Sequence, residues 1–384
     1  MGRIDQEPIK VCLLHNQVTP YRLPIFNEIG KKCNLHVIFC QTVSQDRLWA
    51  ASSEGFSFSS TVLKYIKIGP FIINYTLPSF LLQHSFDIYI IGENPQNIFS
   101  EFFICIFTKL QKKKVVIWSE AISISILLQR YKQRPVKRFI ELLDDIFSSF
   151  YRRFLYKFAD AFIAYSKRAK LYLMGKGVKE GKIFSGGQCY PILRGEPILF
   201  KDFQIPKCKG KKMVLYLGYL RYEKGIDILI QAFQKLCRTD SILVIAGDGP
   251  EFNRLKKVSH EEDFIIFTGY VNDTTKEQLY SNADIFVLPT FHDPWGLTVN
   301  EAMSYGLPVI VTSAASCSDY LIQGNGIITS PGSIDELAQA IEYLLDNKEV
   351  RKTMGVHSLQ VILEYDVSAG TKPFLDVINR VFSH

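Results

Sequence analysis

No two of the eight cysteines stand as C-x-x-C, and several lie inside apolar runs such as KVCLLH and HVIFC. That pattern excludes zinc-ribbon spacing and points to buried free thiols in a reducing compartment rather than to disulfides. No run of about 18 apolar residues occurs, so no membrane-spanning helix is expected. The opening MGRIDQEPIKVCLLH brings acids early and only a short apolar run, which does not suit a secretory signal. Gln6 stands where a myristoylation signal wants Ser or Thr. There is no low-complexity tract and no short repeat. These absences lead to the expectation of a cytoplasmic protein, with any membrane contact peripheral and from that side.

What is present is apolar bulk. The 384 residues are too many for one ordinary core, and two domains are expected. Hydrophobic residues make up 47% and charged residues 22%, which suits a folded chain with large cores. The net charge of +7 suits an anionic ligand, a membrane surface or nucleic acid, and equally a plain solvated basic surface.

Short apolar runs alternate with helix-period segments. IKVCLLH, LHVIFC, FDIYIIG, KKVVIWS and DAFIAYS read as buried strands in the first half. MVLYLG, SILVIAG, DFIIFTG, ADIFVLP and LPVIVTS do so in the second. Strand, helix, strand in this rhythm predicts parallel sheets covered on both faces. The stretch 186–212 holds Gly, Pro and Lys without periodicity and reads as a boundary. The expected fold class is α/β, with Rossmann-like doubly wound domains over 1–195 and 196–365. A terminal helix in 366–384 is expected to pack back on the first domain. Ligands in such sheets bind beyond the carboxyl ends of the strands, so the loops there are the places to search.

Four such loops carry polar chemistry. In YLGYLRYEKGIDILI, a strand ends at Gly218, and Arg221 and Lys224 precede a helix that begins near Gly225. Cations beside a helix N-terminus suit a diphosphate, although an ordinary turn with solvated cations reads the same way. IAGDGPEFNRL lacks the third glycine of a dinucleotide fingerprint, which argues against a nicotinamide site; Pro250 suits a first helical position. In FTGYVNDTTKEQL, Tyr270 and Val271 can meet a flat base, while Asn272 to Thr275 supply helix-cap chemistry. In FHDPWGLTVNEAMSYGLPVI, Asp293 precedes a helix and Glu301 lies inside it. The backbone N–H groups of Gly296, Leu297 and Thr298 lie between the two acids. Two carboxylates flanking these donors suit a polyol, and an acidic first turn complementing the helix dipole is the plainer reading.

Taken in order, GYLRYEKG, AGDGPE, FTGYV, ADIFVLPT and DPWGLTVNEAMSYGLPVI resemble the donor half of retaining group 1, family-4 type glycosyltransferases. The resemblance is close over 211–345; upstream, NQVTPYRLPIFNEI and KFADAFIAYSKRAKLYLMGKGV share it less diagnostically. It implies the GT-B fold, two facing Rossmann-like domains with a deep cleft, and a nucleotide-diphosphate sugar as substrate. It implies that Asp293 binds the sugar hydroxyls and Glu301 the ribose hydroxyls. Lys224 would bind the diphosphate and stabilise the leaving group, with Tyr270 and Val271 beside the base. No cofactor and no metal is expected.

The chain departs from the family pattern in several places. Asp293 replaces the usual Glu, and Tyr219 stands where Arg often follows the glycine, leaving Arg221 as its substitute. HNQVTPYR after the first strand has no glycine, and Ser119 and Glu120 replace a frequent His. Glu120 and Arg22 become acceptor-side candidates, with a plain solvent-facing position as the simpler account of both. The catalytic candidates are therefore Lys224, Arg221, Asp293 and Glu120. Gly218, Lys224, Arg221, Tyr270, Val271, Asp293, Gly296, Leu297, Thr298 and Glu301 are the donor-binding set.

The expected reaction moves a sugar to an acceptor hydroxyl with retention, by same-face attack in which the leaving phosphate helps take the acceptor proton. The stretch 130–158 mixes Arg and Lys with aromatics and suits an interfacial helix at anionic lipid; NIFSEFFICIFTKLQKKK adds apolar bulk ending in lysines. Core helices with basic ends explain the same pattern. A lipid surface would favour a glycan or lipid-linked acceptor, as in lipopolysaccharide, O-antigen or capsule synthesis. Nucleic acid is not expected as a partner. A sugar-nucleotide epimerase and a non-catalytic nucleotide-sugar-binding subunit remain alternatives.

Overall fold

The computed structural model describes residues 7–42, 56–189, 210–260 and 262–383. The chain divides into two compact units. One comprises Met1–Ile122, Phe139–Pro191 and Val367–His384, the other Ser123–Arg138 and Ile192–Asp366. The expected boundary at 195/196 lies outside the described residues. Segment 123–138 belongs to the second unit, not to the first as the expected 1–195 domain has it.

The first unit's strands are β1 (Lys10–His15), β2 (Asn34–Phe39), β3 (Ser59–Val62), β4 (Ile66–Ile68), β5 (Phe71–Ile73), β6 (Ile88–Ile91), β7 (Lys114–Ser119), β8 (Ala161–Ala164) and β9 (Ile183–Ser185). Seven of them form a parallel sheet in the order β3-β2-β1-β6-β7-β8-β9, and β4 and β5 form a small antiparallel pair. β6 and β8 are buried at every residue, as strands covered on both faces must be, which is why they read as unbroken apolar runs. The short strands β3, β4, β5 and β9 were not foreseen; β3 and β4 are polar or exposed and carry no such run.

The terminal helix runs Val367–Phe382 and packs on the helix Leu23–Gly30 and on β8 and β9. It starts four residues before the expected TKPFLDVINRVFS and tolerates Pro373 within it. The stretch 130–158 is not one helix. A short helix Ser125–Arg130 and a 3-10 turn Tyr131–Gln133 come first, then a helix Pro135–Leu155. Arg134, at φ −129° and ψ 72°, breaks the path because a residue before proline is pushed out of helical conformation.

The second unit has β10 (Lys212–Leu217), β11 (Ser241–Ala246), β12 (Ile265–Gly269), β13 (Ile285–Leu288), β14 (Val309–Thr312) and β15 (Gly326–Thr329). They pair in parallel in the order β12-β11-β10-β13-β14-β15. The order reverses beside β10, so the loops after β10 and β13 flank the switch point, where ligands gather in such sheets. The loops carrying Lys224 and Asp293 are those two.

Among the described cysteines all are free, six of them buried as the apolar runs predict and Cys237 exposed. No helix among the described residues is long and apolar enough to cross a membrane.

Candidate functional site

The loop after β10 is built on backbone ties. Gly218 N–H donates to Ala246 O at 2.9 Å, and Leu220 N–H to Asp248 O at 2.8 Å. Glu251 N–H returns to Leu220 O at 3.1 Å, so the AGDGPE segment supports this loop. Its helix begins at Phe252, leaving Pro250 in the preceding turn rather than at the first helical position.

The loop closes through a 3-10 turn Tyr222–Lys224 into Gly225, which caps the helix Ile226–Lys235 at φ +67°. A Cβ on Gly225 would lie 2.2 Å from Pro289 O, so only glycine lets this loop meet the end of β13. Phe291 N–H donates to Glu223 O at 2.7 Å, and the Thr290 hydroxyl donates to the same oxygen at 3.1 Å. These contacts fix the backbones of the two loops against each other.

Lys224 and Asp293 meet across that seam, with Nζ 2.6 Å from Oδ2. The other carboxylate oxygen of Asp293 accepts from Trp295 N–H at 3.0 Å, a local turn that starts the next element. Trp295 is buried and donates from Nε1 to Asn300 Oδ1 at 2.8 Å, anchoring the loop to the helix Leu297–Ser304. Gly296 caps this helix at φ +101°, and a Cβ there would lie 2.7 Å from Leu288 Cδ2. Pro-Trp-Gly thus leads from the loop after β13 into the next helix, with Leu297 and Thr298 in its first turn.

Glu301, one turn further along, takes different partners. The Tyr280 hydroxyl donates to Oε2 at 2.9 Å, and Lys276 Nζ lies 3.8 Å from Oε1. Burial holds its pKa above the ordinary carboxylate range, against the pull of Lys276 and Tyr280. The structure therefore brings Lys224 and Asp293 into contact and gives Glu301 separate partners, Tyr280 and Lys276. Lys276 and Tyr280 were missed by sequence reasoning, although their four-residue spacing on a helix capped by Asn272 was a usable signal. That cap is real: Asn272 Oδ1 accepts from Thr275 N–H at 2.8 Å.

Arg221 is half-exposed, 4.9 Å from the Tyr219 ring and 3.7 Å from Glu223. Tyr270 is exposed and Val271 half-buried, just beyond β12.

The other two candidates lie in the first unit. Glu120 is exposed beyond β7. Arg22 is buried, so it is not the solvent-facing cation that the simpler account made it. Its guanidinium lies 4.7 to 5.0 Å from the centroids of Tyr21, Trp118 and Tyr165, and it donates to Gln188 Oε1 and to the Tyr165 hydroxyl. Burial lowers its pKa, partly opposed by the charges of Tyr21 and Glu120. The same burial, aided by the Arg22 charge, brings neighbouring His15 down to about 4. Glu93, after β6, also went unforeseen. It is buried and accepts from Ser119 Oγ at 2.6 Å and the Tyr156 hydroxyl at 2.8 Å, and burial raises its pKa.

Comparison with known proteins bears on this geometry. Residues 198–358 match the family model described as glycosyl transferases group 1. An uncharacterized glycosyltransferase of Methanocaldococcus jannaschii is 34% identical over 142 residues, 36% of this chain and 36% of that one. The match therefore spans about a third of that relative's length. The structure of Anabaena HepE in complex with UDP and glucose superposes over 97% of this chain and 100% of its own, with TM-score 0.75 and 17% identity. A lipopolysaccharide outer core galactosyltransferase superposes over 97% and 99%, with TM-score 0.67 and 19% identity. Residues 198–358 thus carry the similarity to group 1 glycosyl transferases, and the chain has the GT-B fold of these solved structures.

Proposed function

We propose that the protein transfers a hexosyl or related sugar from a nucleoside diphosphate to an acceptor hydroxyl with retention, in the synthesis of a cell-surface glycan. The observation that carries this reading is the Lys224–Asp293 pair, 2.6 Å apart, on the loops that flank the switch point of the second sheet.

The chemistry follows from the charges. The bond from the anomeric carbon to the diphosphate breaks, and negative charge develops on the departing phosphate. Lys224, with Arg221 and the N–H groups after Gly296, stabilises that charge. Asp293, released from Lys224 by the diphosphate, accepts hydrogen bonds from sugar hydroxyls. Glu301, desolvated and held by Tyr280, accepts from ribose hydroxyls. The acceptor oxygen attacks from the face the phosphate leaves, and a phosphate oxygen takes its proton. No metal is assigned a role. Glu120 is the acceptor-side candidate.

A membrane-linked acceptor is supported by the helix Pro135–Leu155. Phe139, Ile140, Leu143, Ile146, Phe147 and Phe150 repeat at three- and four-residue spacing, and all are exposed. Such a face, with Arg138 and Arg153 beside it, suits the anionic headgroup region on the cytoplasmic side. Flotation with phosphatidylglycerol vesicles tests it: Phe147→Asp with Phe150→Asp should abolish binding, and equal flotation of this variant would remove the membrane from the proposal.

The activity is tested by thermal shift against UDP- and GDP-sugars, followed by product analysis. One nucleotide family should raise Tm by several degrees. Conversion of the donor to another nucleotide sugar without acceptor would replace transfer by epimerisation. Binding without turnover, across a broad panel of acceptors, would leave a non-catalytic subunit.

A further inference from the structure

One side chain from far earlier in the sequence lies against both loops of the proposed donor site. We propose that Arg130 is a positioning residue that sets Lys224 against Asp293; the inference rests on the donor-site reading above.

Arg130 ends the helix Ser125–Arg130, in the segment that belongs to the second unit. Its guanidinium carbon lies 4.0 Å from the centroid of the Tyr222 ring and 4.5 Å from that of Phe291. Tyr222 stands two residues before Lys224, and Phe291 two before Asp293. Nη2 donates to both carboxylate oxygens of Asp227, at 2.6 and 2.5 Å. Asp227 sits in the first turn of the helix that Gly225 opens. One largely enclosed cation therefore touches the loop after β10, the helix that follows it and the loop after β13.

The surroundings hold Arg130 in that place. Arg134 lies 3.8 Å from the Tyr222 centroid, and the Tyr131 ring stacks on Tyr222 at 5.2 Å. Arg254 approaches Asp227 at 3.5 Å and pairs with Glu251, which also faces Arg134 at 3.6 Å. The charge of Arg130 is spent on Asp227, so it adds little field at the diphosphate. Its contribution is geometric. A planar cation can lie against two rings while hydrogen-bonding a carboxylate, and a lysine ammonium cannot do all three. The backbone bonds from Phe291 and Thr290 to Glu223 align the main chains; Arg130 aligns the side-chain layer next to Lys224 and Asp293. A displacement of about 1 Å in such groups costs on the order of a hundredfold in rate.

The test compares the full-length protein with Arg130→Lys, Arg130→Met and Arg130→Ala by amide hydrogen exchange over 218–226 and 289–296. Each variant should exchange about tenfold faster in both loops, with the first sheet unchanged. Millimolar guanidinium should restore protection in the Ala variant and not in the Lys variant. With the nucleotide sugar that binds wild type, hydrolytic kcat should fall about tenfold or more while KM stays within about twofold. Unchanged exchange in both loops, or a uniform rise throughout the molecule, would overturn the proposal. If no sugar nucleotide in a panel of UDP, GDP, ADP, CDP and dTDP donors binds wild type, the donor-site reading fails, and the exchange data still decide whether Arg130 ties the loops.

Discussion

At the carboxyl edge of the first sheet, Arg22 and Glu93 are drawn inward, while Glu120 stays exposed. Arg22 is enclosed by three aromatic rings, and Glu93 is buried under Ser119 and Tyr156. At the corresponding edge of the second sheet, the two loop cations Lys224 and Arg221 keep part of their surface exposed, although Asp293 beside Lys224 is buried. Lys224 retains 22% exposure in its ion pair, and Arg221 retains 52%. A buried cation cannot leave its partners without a cost of several kcal/mol, whereas a partly solvated pair can exchange one partner for a ligand. The first arrangement holds a structure together, and the second can be opened by a phosphate.

The sharpest way to break the contrast is Lys224→Ala. Loss of the leaving-group cation should lower donor turnover about a thousandfold, with Tm changed by only a few degrees; initial rates and a melting scan measure both. Arg22→Ala should do the reverse. It leaves the Tyr165 and Gln188 partners unsatisfied and should cost about 3 kcal/mol in urea unfolding, with nucleotide binding by the second unit retained.

Glu301→Gln should weaken donor binding about tenfold while raising Tm at neutral pH. The sign follows from burial. The folded Glu301 holds its proton more tightly than the unfolded one, so its contribution to stability is complete below the ordinary value of 4.5 and is lost as pH rises through the elevated value. Glutamine does not ionise, so the Tm gap between variant and wild type should widen from pH 4 to pH 7. An even gap across that range would show that Glu301 is not held up in the fold.

The smallest expected effect concerns His15. Its folded pKa is depressed, so it contributes stability above the ordinary value of 6.5 that is lost as pH falls toward about 4. Arg22→Gln should raise its midpoint, followed by the ring resonances in NMR, because the neighbouring charge is removed.

The sequence revealed most where local chemistry repeats the fold. Strands such as β11 and β13, covered on both faces, must be apolar throughout, and they were readable as runs. Lys224 and Asp293 came to one donor site through the family resemblance alone, since the strand order that puts their two loops side by side is set by long-range pairing that no local pattern encodes. Arg130 was not readable, because its partner Asp227 is 97 residues away and no local pattern encodes that contact. The same stretch has a continuous basic and aromatic character that suggested one lipid-facing helix, and only Pro135 marked the break. Arg22 looked like a surface residue because its aromatic enclosure comes from Trp118 and Tyr165, far along the chain.

Gly225 has a consequence for anyone seeking to change the donor preference of this protein. With Pro289 O only 2.2 Å from where a side chain would begin, a saturation library at position 225 should return a single letter among its active members. Tyr219 and Tyr270, open to solvent beyond β10 and β12, should accept many. Diversity introduced at those two tyrosines can be selected for new donors, while the position between them and the second loop acts as the fixed reference from which every new pocket is measured.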